Sequence, residues 1–141
     1  MQIHVATRRD DVGKLFMLRY KVFVLEQGFA ESIEIDAHDN DATFLIAKEG
    51  NDVIGTLRLF KEGDHVVLGR MAVERTWRGR GIGSALVREA IPLARQLGGT
   101  RVVAHAQARA LGFYIKAGFI PHGAEFDEEG VPHQLVCMKL P

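Results

Sequence analysis

Met71-Ala72-Val73-Glu74-Arg75-Thr76-Trp77-Arg78-Gly79-Arg80-Gly81-Ile82-Gly83-Ser84 is the stretch around which the rest of the chain is arranged. The apolar run that ends at Val73 has strand character. A basic, glycine-rich loop follows, with Arg75, Arg78 and Arg80 set among Gly79, Gly81 and Gly83. Ser84-Ala85-Leu86-Val87-Arg88-Glu89-Ala90 then starts a helix. Strand, glycine loop and helix in that order form an anion site, because the first helical N–H groups lack intrahelical partners and the dipole is positive there. Glycine lets the backbone turn and lets a phosphate approach without meeting a Cβ atom. Spacing excludes two phosphate loops: neither G-x-G-x-x-G nor a loop ending in Gly-Lys-Ser/Thr is present.

A chain of 141 residues fits a single domain, 1–141, with a sizeable core. Hydrophobic content of 47% and charged content of 26% belong to an ordinary globular protein. The formal net charge is zero, so nothing global points to nucleic acid or to an anionic membrane. No apolar run approaches the roughly 20 residues that span a bilayer. Met1-Gln2-Ile3-His4-Val5 has no basic-then-apolar leader pattern, and a cytoplasmic location is expected. Cys137 is the only cysteine, which excludes an intramolecular disulfide, and its strand-like surroundings suit a buried small hydrophobe. The histidines lack ligand spacing such as H-x-x-x-H, so no metal is expected.

Outward from the loop, Gln2 to Ala6 reads as a first strand. Thr7, three residues before Asp10, predicts a capping-box start for a helix that runs to about Leu25. Gly28 to Asp41 has no period and is acidic, which predicts a surface loop; Glu34 and Asp36 stand out there, because long loops carry function. Thr43–Lys48, Val53–Lys61 and His65–Glu74 form three antiparallel strands that deliver the chain to the glycine loop. The following helix has Ile82, Leu86, Ala90, Leu93 and Leu97 as its apolar stripe, with Pro92 inside it, and ends at Gly98-Gly99. Arg101–Ala106 is then a strand parallel to the one before the loop, by a right-handed crossover. A short helix over Ala108–Lys116, a strand opening at Phe119-Ile120, an acidic turn over Ala124–Val131 and a terminal strand complete the chain.

Arg78-x-x-Gly81-x-Gly83 resembles the pyrophosphate loop of the GNAT superfamily of N-acetyltransferases, and Ala110-Leu111-Gly112-Phe113-Tyr114-Ile115-Lys116-Ala117-Gly118-Phe119 resembles its second signature. The order of elements is similar to the GNAT fold over essentially the whole chain. That implies an α/β (α+β) architecture, a mixed and mostly antiparallel twisted sheet of about seven strands with helices on both faces. It also implies acetyl-coenzyme A as acyl donor, contacted by Met71, Ala72 and Val73, by Arg78, Gly79, Arg80, Gly81, Ile82, Gly83 and Ser84, and by Gln107 and Tyr114. Gln107 stands where many members carry asparagine.

Transfer from a thioester to an amine needs deprotonation of the amine, a donor for the carbonyl oxygen, and an acid for the departing thiolate. By resemblance, Tyr114 is that acid, and a backbone N–H near Val73 receives the oxygen. Candidates for the base are Glu26, Glu34, Asp36 and His133, while His105 and His133 suit structural roles equally. Leu18 to Gln27, Glu34-Ile35-Asp36 and Gly130-Val131-Pro132-His133 resemble the small bacterial ElaA/YjcF-like branch. Arg19, Phe23, Glu26, Gln27 and His133 are therefore expected at the acceptor site, the acceptor being a small-molecule amine and a homodimer being common among members. The N-terminal half also resembles acyl-homoserine-lactone synthases through Arg19-Tyr20-Lys21-Val22-Phe23, Glu34-Ile35-Asp36-Ala37-His38-Asp39 and Arg58. A further alternative is a module that binds acetyl-coenzyme A without turning it over.

Overall fold

A computed structural model describes residues 1–141. The strands are β1 (Gln2–Val5), β2 (Thr43–Glu49), β3 (Asp52–Glu62), β4 (His65–Val73), β5 (Arg101–Gln107), β6 (Ile120–Glu128) and β7 (Val131–Lys139). They make one seven-stranded sheet in the order β1-β2-β3-β4-β5-β7-β6. The helices are α1 (Arg9–Arg19), α2 (Glu31–Glu34), α3 (Ile82–Gln96) and α4 (Leu111–Lys116). All neighbouring strands are antiparallel except β4 and β5, the pair joined through α3.

Both faces of the sheet are covered where β2 lies, and its alternation shows it. Phe44 and Ile46 pack with Leu15, Leu18 and Val22 from the first helical segment. Leu45 and Ala47 belong to the larger core that Ile82, Leu86 and Ala90 of α3 close from the other side. The helix approaches β3 so closely that a Cβ on Gly55 would stand 2.9 Å from Ile82 and 3.0 Å from Leu86. The buried stripe of α3 differs from the expected one: Val87 and Ala94 are buried, while Leu93 and Leu97 are only partly so. Pro92 is exposed on the outer side, where its missing N–H bond costs least.

Four local expectations are corrected. The predicted Thr7 cap is absent: Arg8 is the N-cap, and its guanidinium has no acceptor to offer a first-turn N–H, while Asp10 and Asp11 pair with Lys14 and Lys48 at 3.1 and 3.0 Å. Helix does continue past Arg19, but Tyr20–Glu26 is wound as a π-helix. Gly28 to Asp41 lies mostly at the surface, as expected, but is not irregular: it contains α2 and a 3-10 turn over Ala37–Asn40, with Glu34, Asp36 and Asp39 held in ion pairs. The supposed acidic turn over Ala124–Val131 is mostly strand, and β7 lies between β5 and β6.

The feature that positions the site is a parting of strands. β4 pairs with β5 only at His65–Val67, opposite Arg101–Val103. Beyond that, the β3–β4 register slips between Thr56 and Arg58, and Arg70 takes a left-handed φ of 49°. An extra residue bends the strand it belongs to, and a non-glycine residue at positive φ persists only where its surroundings hold it.

Candidate active site

The parted strands open a cleft of about 650 Å³. Phe23 comes from the π-helical segment and Gln27 from its C-terminal cap, Glu34 and Asp36 from the α2 region, and Met71 from β4. Gln107, Tyr114 and His133 line it from β5, α4 and β7. These eight of the expected site residues are brought together in one cavity. Arg58, Phe60, Arg70, His105, Arg109, Glu128 and Glu129 also line it, of which only Arg58 and His105 were singled out in the sequence, neither as a site residue.

Three arginines and three carboxylates hold one wall. Arg19 is buried and donates to Glu34 at 2.6 Å, to Asp39 at 2.8 Å and to the Glu34 carbonyl at 2.9 Å. Expected at the acceptor, it lies instead behind the wall as a brace. Arg58 donates to Asp36 at 2.7 and 3.0 Å and to Asp39 at 3.0 Å. Arg70 reaches the carbonyls of Glu34 and Ile33 at 2.9 and 3.1 Å, and Asp36 at 3.2 Å. Burial opposes the charged Asp36 carboxylate, yet the bonds from Arg58 and the nearby Arg70 outweigh it and hold Asp36 below the usual carboxylate range. Asp39 is held low in the same way, burial being outweighed mainly by Arg19.

The glycine loop lies beyond this cavity. Gly79 and Gly81 adopt left-handed φ of 78° and 77°, and Gly81 is the N-cap of α3 with no side chain occupying the first-turn N–H groups. Ser84 is exposed on that first turn, and Gly83 faces the Phe113 ring. Ile82 and Ala72 are buried in the two cores, so their side chains are closed off from a ligand, while Val73 is partly buried. The two arginines are otherwise engaged. Arg80 stacks over Trp77 at 4.7 Å. Arg78 holds Glu26 by two bonds of 2.6 and 2.9 Å and the Val73 carbonyl at 3.0 Å. That pairing keeps the Glu26 carboxyl below its ordinary range, with Glu26 outside the cleft lining.

Tyr114 is 7% exposed, its ring edge-on to Phe113 and Phe119 at 5.3 and 5.4 Å. Burial pushes its hydroxyl up to about 12, so at neutral pH it is a proton donor. Gln107 spans the cleft to Gln27 at 2.9 Å and accepts from Arg109 at 3.0 Å. On the opposite wall His105 Nδ1 lies 2.7 Å from Glu128 Oε1, and buried His133 places Nε2 3.6 Å from Glu128 Oε2.

Residues 9–119 match the profile of the acetyltransferase (GNAT) family. A Bacillus subtilis protein bearing the name of an acetyltransferase is 31% identical over 139 residues, covering 96% of this chain and 95% of its own. Protein ElaA of Escherichia coli is 30% identical over 124 residues, covering 84% of this chain and 81% of its own. The crystal structure of an acyl-CoA N-acyltransferase from Pseudomonas aeruginosa superposes with a TM-score of 0.86 at 27% identity, covering 96% of this chain and 97% of its own.

Proposed function

The chain belongs to the acetyltransferase (GNAT) family and is an acyltransferase of acyl-coenzyme A chemistry, and from that premise we propose that it moves an acetyl group from acetyl-coenzyme A to the primary amine of a small molecule by direct attack. One observation carries this reading: β4 leaves its parallel partner after three residue pairs and leads straight into the glycine loop. A thioester can lie in the gap while its pyrophosphate meets the loop amides and the first turn of α3, around Gly79, Gly81 and Ser84. A backbone N–H near Val73 receives the carbonyl oxygen as it gains charge. Tyr114, buried and protonated, supplies the proton to the departing sulfur. Glu62, Glu128 and Glu129 in the lining favour a cationic acceptor.

The test is calorimetric titration of acetyl-coenzyme A into the protein and two variants. Gly81→Val puts a branched side chain at φ 77° in the loop and is expected to weaken binding at least about tenfold. Arg78→Ala is expected to weaken it less, because that guanidinium is bound to Glu26. Absence of binding by the unaltered protein would remove the reading.

A second reading is favoured by the ion network. Arg19, Glu34, Asp36, Asp39 and Arg58, through which the chain resembles acyl-homoserine-lactone synthases, assemble with Arg70 into one wall of the cleft. Under it the acceptor is S-adenosylmethionine, and calorimetric titration of that compound separates the two.

A further inference from the structure

Amine acetylation requires a group that takes the acceptor's proton. The carboxylates first considered for that work are committed elsewhere: Glu34 and Asp36 to Arg19, Arg58 and Arg70, and Glu26 to Arg78. Among the titratable groups of the cleft outside those networks, His105 and Glu128 form the closest pair. His105 lies on β5 with Nδ1 2.7 Å from Glu128 Oε1, and its ring meets Phe126 edge-on at 5.4 Å. An ionised carboxylate only accepts, so Nδ1 carries the hydrogen, and in the neutral ring Nε2 then holds the lone pair. The β6–β7 hairpin fixes this arrangement. Glu129 and Gly130, at φ 53° and 79°, make a tight turn that sets Glu128 opposite Val131 and Phe126 opposite His133. His133 in turn is held by its own Nδ1, 2.8 Å from the Val131 carbonyl. The His105 side chain is 51% exposed, so its ring reaches solvent as well as the cleft.

We propose that His105 is the general base of the transfer and that Glu128 is a positioning residue that fixes its tautomer. The inference rests on the acetyl-transfer reading above and adds to it the acceptor's charge state, an ammonium. Nε2 takes one ammonium proton and releases it to water. The freed nitrogen pair attacks the thioester carbon, a C–N bond forms and the C–S bond breaks. Tyr114 protonates the sulfur, and the second nitrogen proton, lost as the amide forms, balances the one Tyr114 gave. One proton leaves to solvent per turnover. The charged and titratable groups that share the cleft with His105 are Glu128 and Glu129 at the hairpin, His133 on β7, Tyr114 on α4, Arg58 and Glu62 on β3, Arg70 on β4, Glu34, Asp36 and His38 in the α2 region and the 3-10 turn after it, and Arg109 beyond β5.

The experiment follows thiol release from acetyl-coenzyme A with tyramine and with its β,β-difluoro counterpart, whose nitrogen is far less basic. His105→Gln is expected to lower kcat with tyramine by about 10² to 10⁴ and to remove the acid limb of the pH–rate profile. The difluoro amine, mostly neutral when assayed above about pH 8, is expected to lose much less. Imidazole in solution should partly restore His105→Ala, and Glu128→Gln should shift the acid limb with a smaller loss. Calorimetric affinity for acetyl-coenzyme A should stay within about threefold throughout. Turnover of tyramine by His105→Gln within about threefold of the unaltered protein, or equal losses for both amines, would overturn the assignment of His105 alone. An unaltered protein that fails to bind acetyl-coenzyme A would overturn both readings.

Discussion

Tyr114 shows how one side chain ties chemistry to stability. Its folded-state value of about 12 lies above the ordinary 10.0, and burial is the cause. Between those values the folded protein holds a proton that the unfolded chain has lost. The stabilisation is therefore complete below pH 10 and is lost as pH rises through about 12. Denaturant titrations at neutral pH and near about pH 11 should show that decline, and Tyr114→Phe, which has no proton to lose, should show a shallower one. The same substitution should lower kcat by about 10² or more while leaving acetyl-coenzyme A affinity nearly unchanged, as read by thiol release and calorimetry. A variant with full turnover would take Tyr114 out of the mechanism.

Among the elements, β3 and α3 meet in close contact at Gly55. Gly55→Ala would press a methyl group against Ile82 and Leu86 inside a full core. The expected cost is about 1–3 kcal/mol, seen as a lower Tm with the secondary structure retained. The strands β2 to β5 and the helix after the glycine loop were legible in the sequence, because period and glycine placement are local properties. The turn of the glycine loop was legible for the same reason: left-handed backbone at Gly79 and Gly81 calls for residues without a Cβ atom. The π-helical winding of Tyr20–Glu26 was not legible, since apolar spacing does not distinguish how a helix closes its hydrogen bonds. Nor was the fate of the acidic segment. Glu34, Asp36 and Asp39 look solvated until Arg19, Arg58 and Arg70 arrive from other elements. His105 and Glu128 are likewise 23 residues apart and meet only through the folded sheet.

For the molecule as a whole, the arginine–carboxylate wall joins α1, the α2 region, β3 and β4 into one unit. Arg19→Ala would strand Glu34 and Asp39 without their principal partner, at an expected cost of about 3–5 kcal/mol, measurable by chemical denaturation. Asp36 and Asp39 have folded-state values below the ordinary 3.8, so their stabilisation is present above that value and is lost as pH falls through the lower folded ones. Acid titration by circular dichroism should show unfolding begin below about pH 4, and Asp36→Asn should blunt the dependence. The strand order has its own consequence for how such a chain is made. β7 separates β5 from β6 yet leaves the ribosome after both. Until it emerges, β5 offers an unpaired edge and β6 has nowhere to dock. The nascent chain thus waits, half assembled and adhesive, for its last strand to be threaded home.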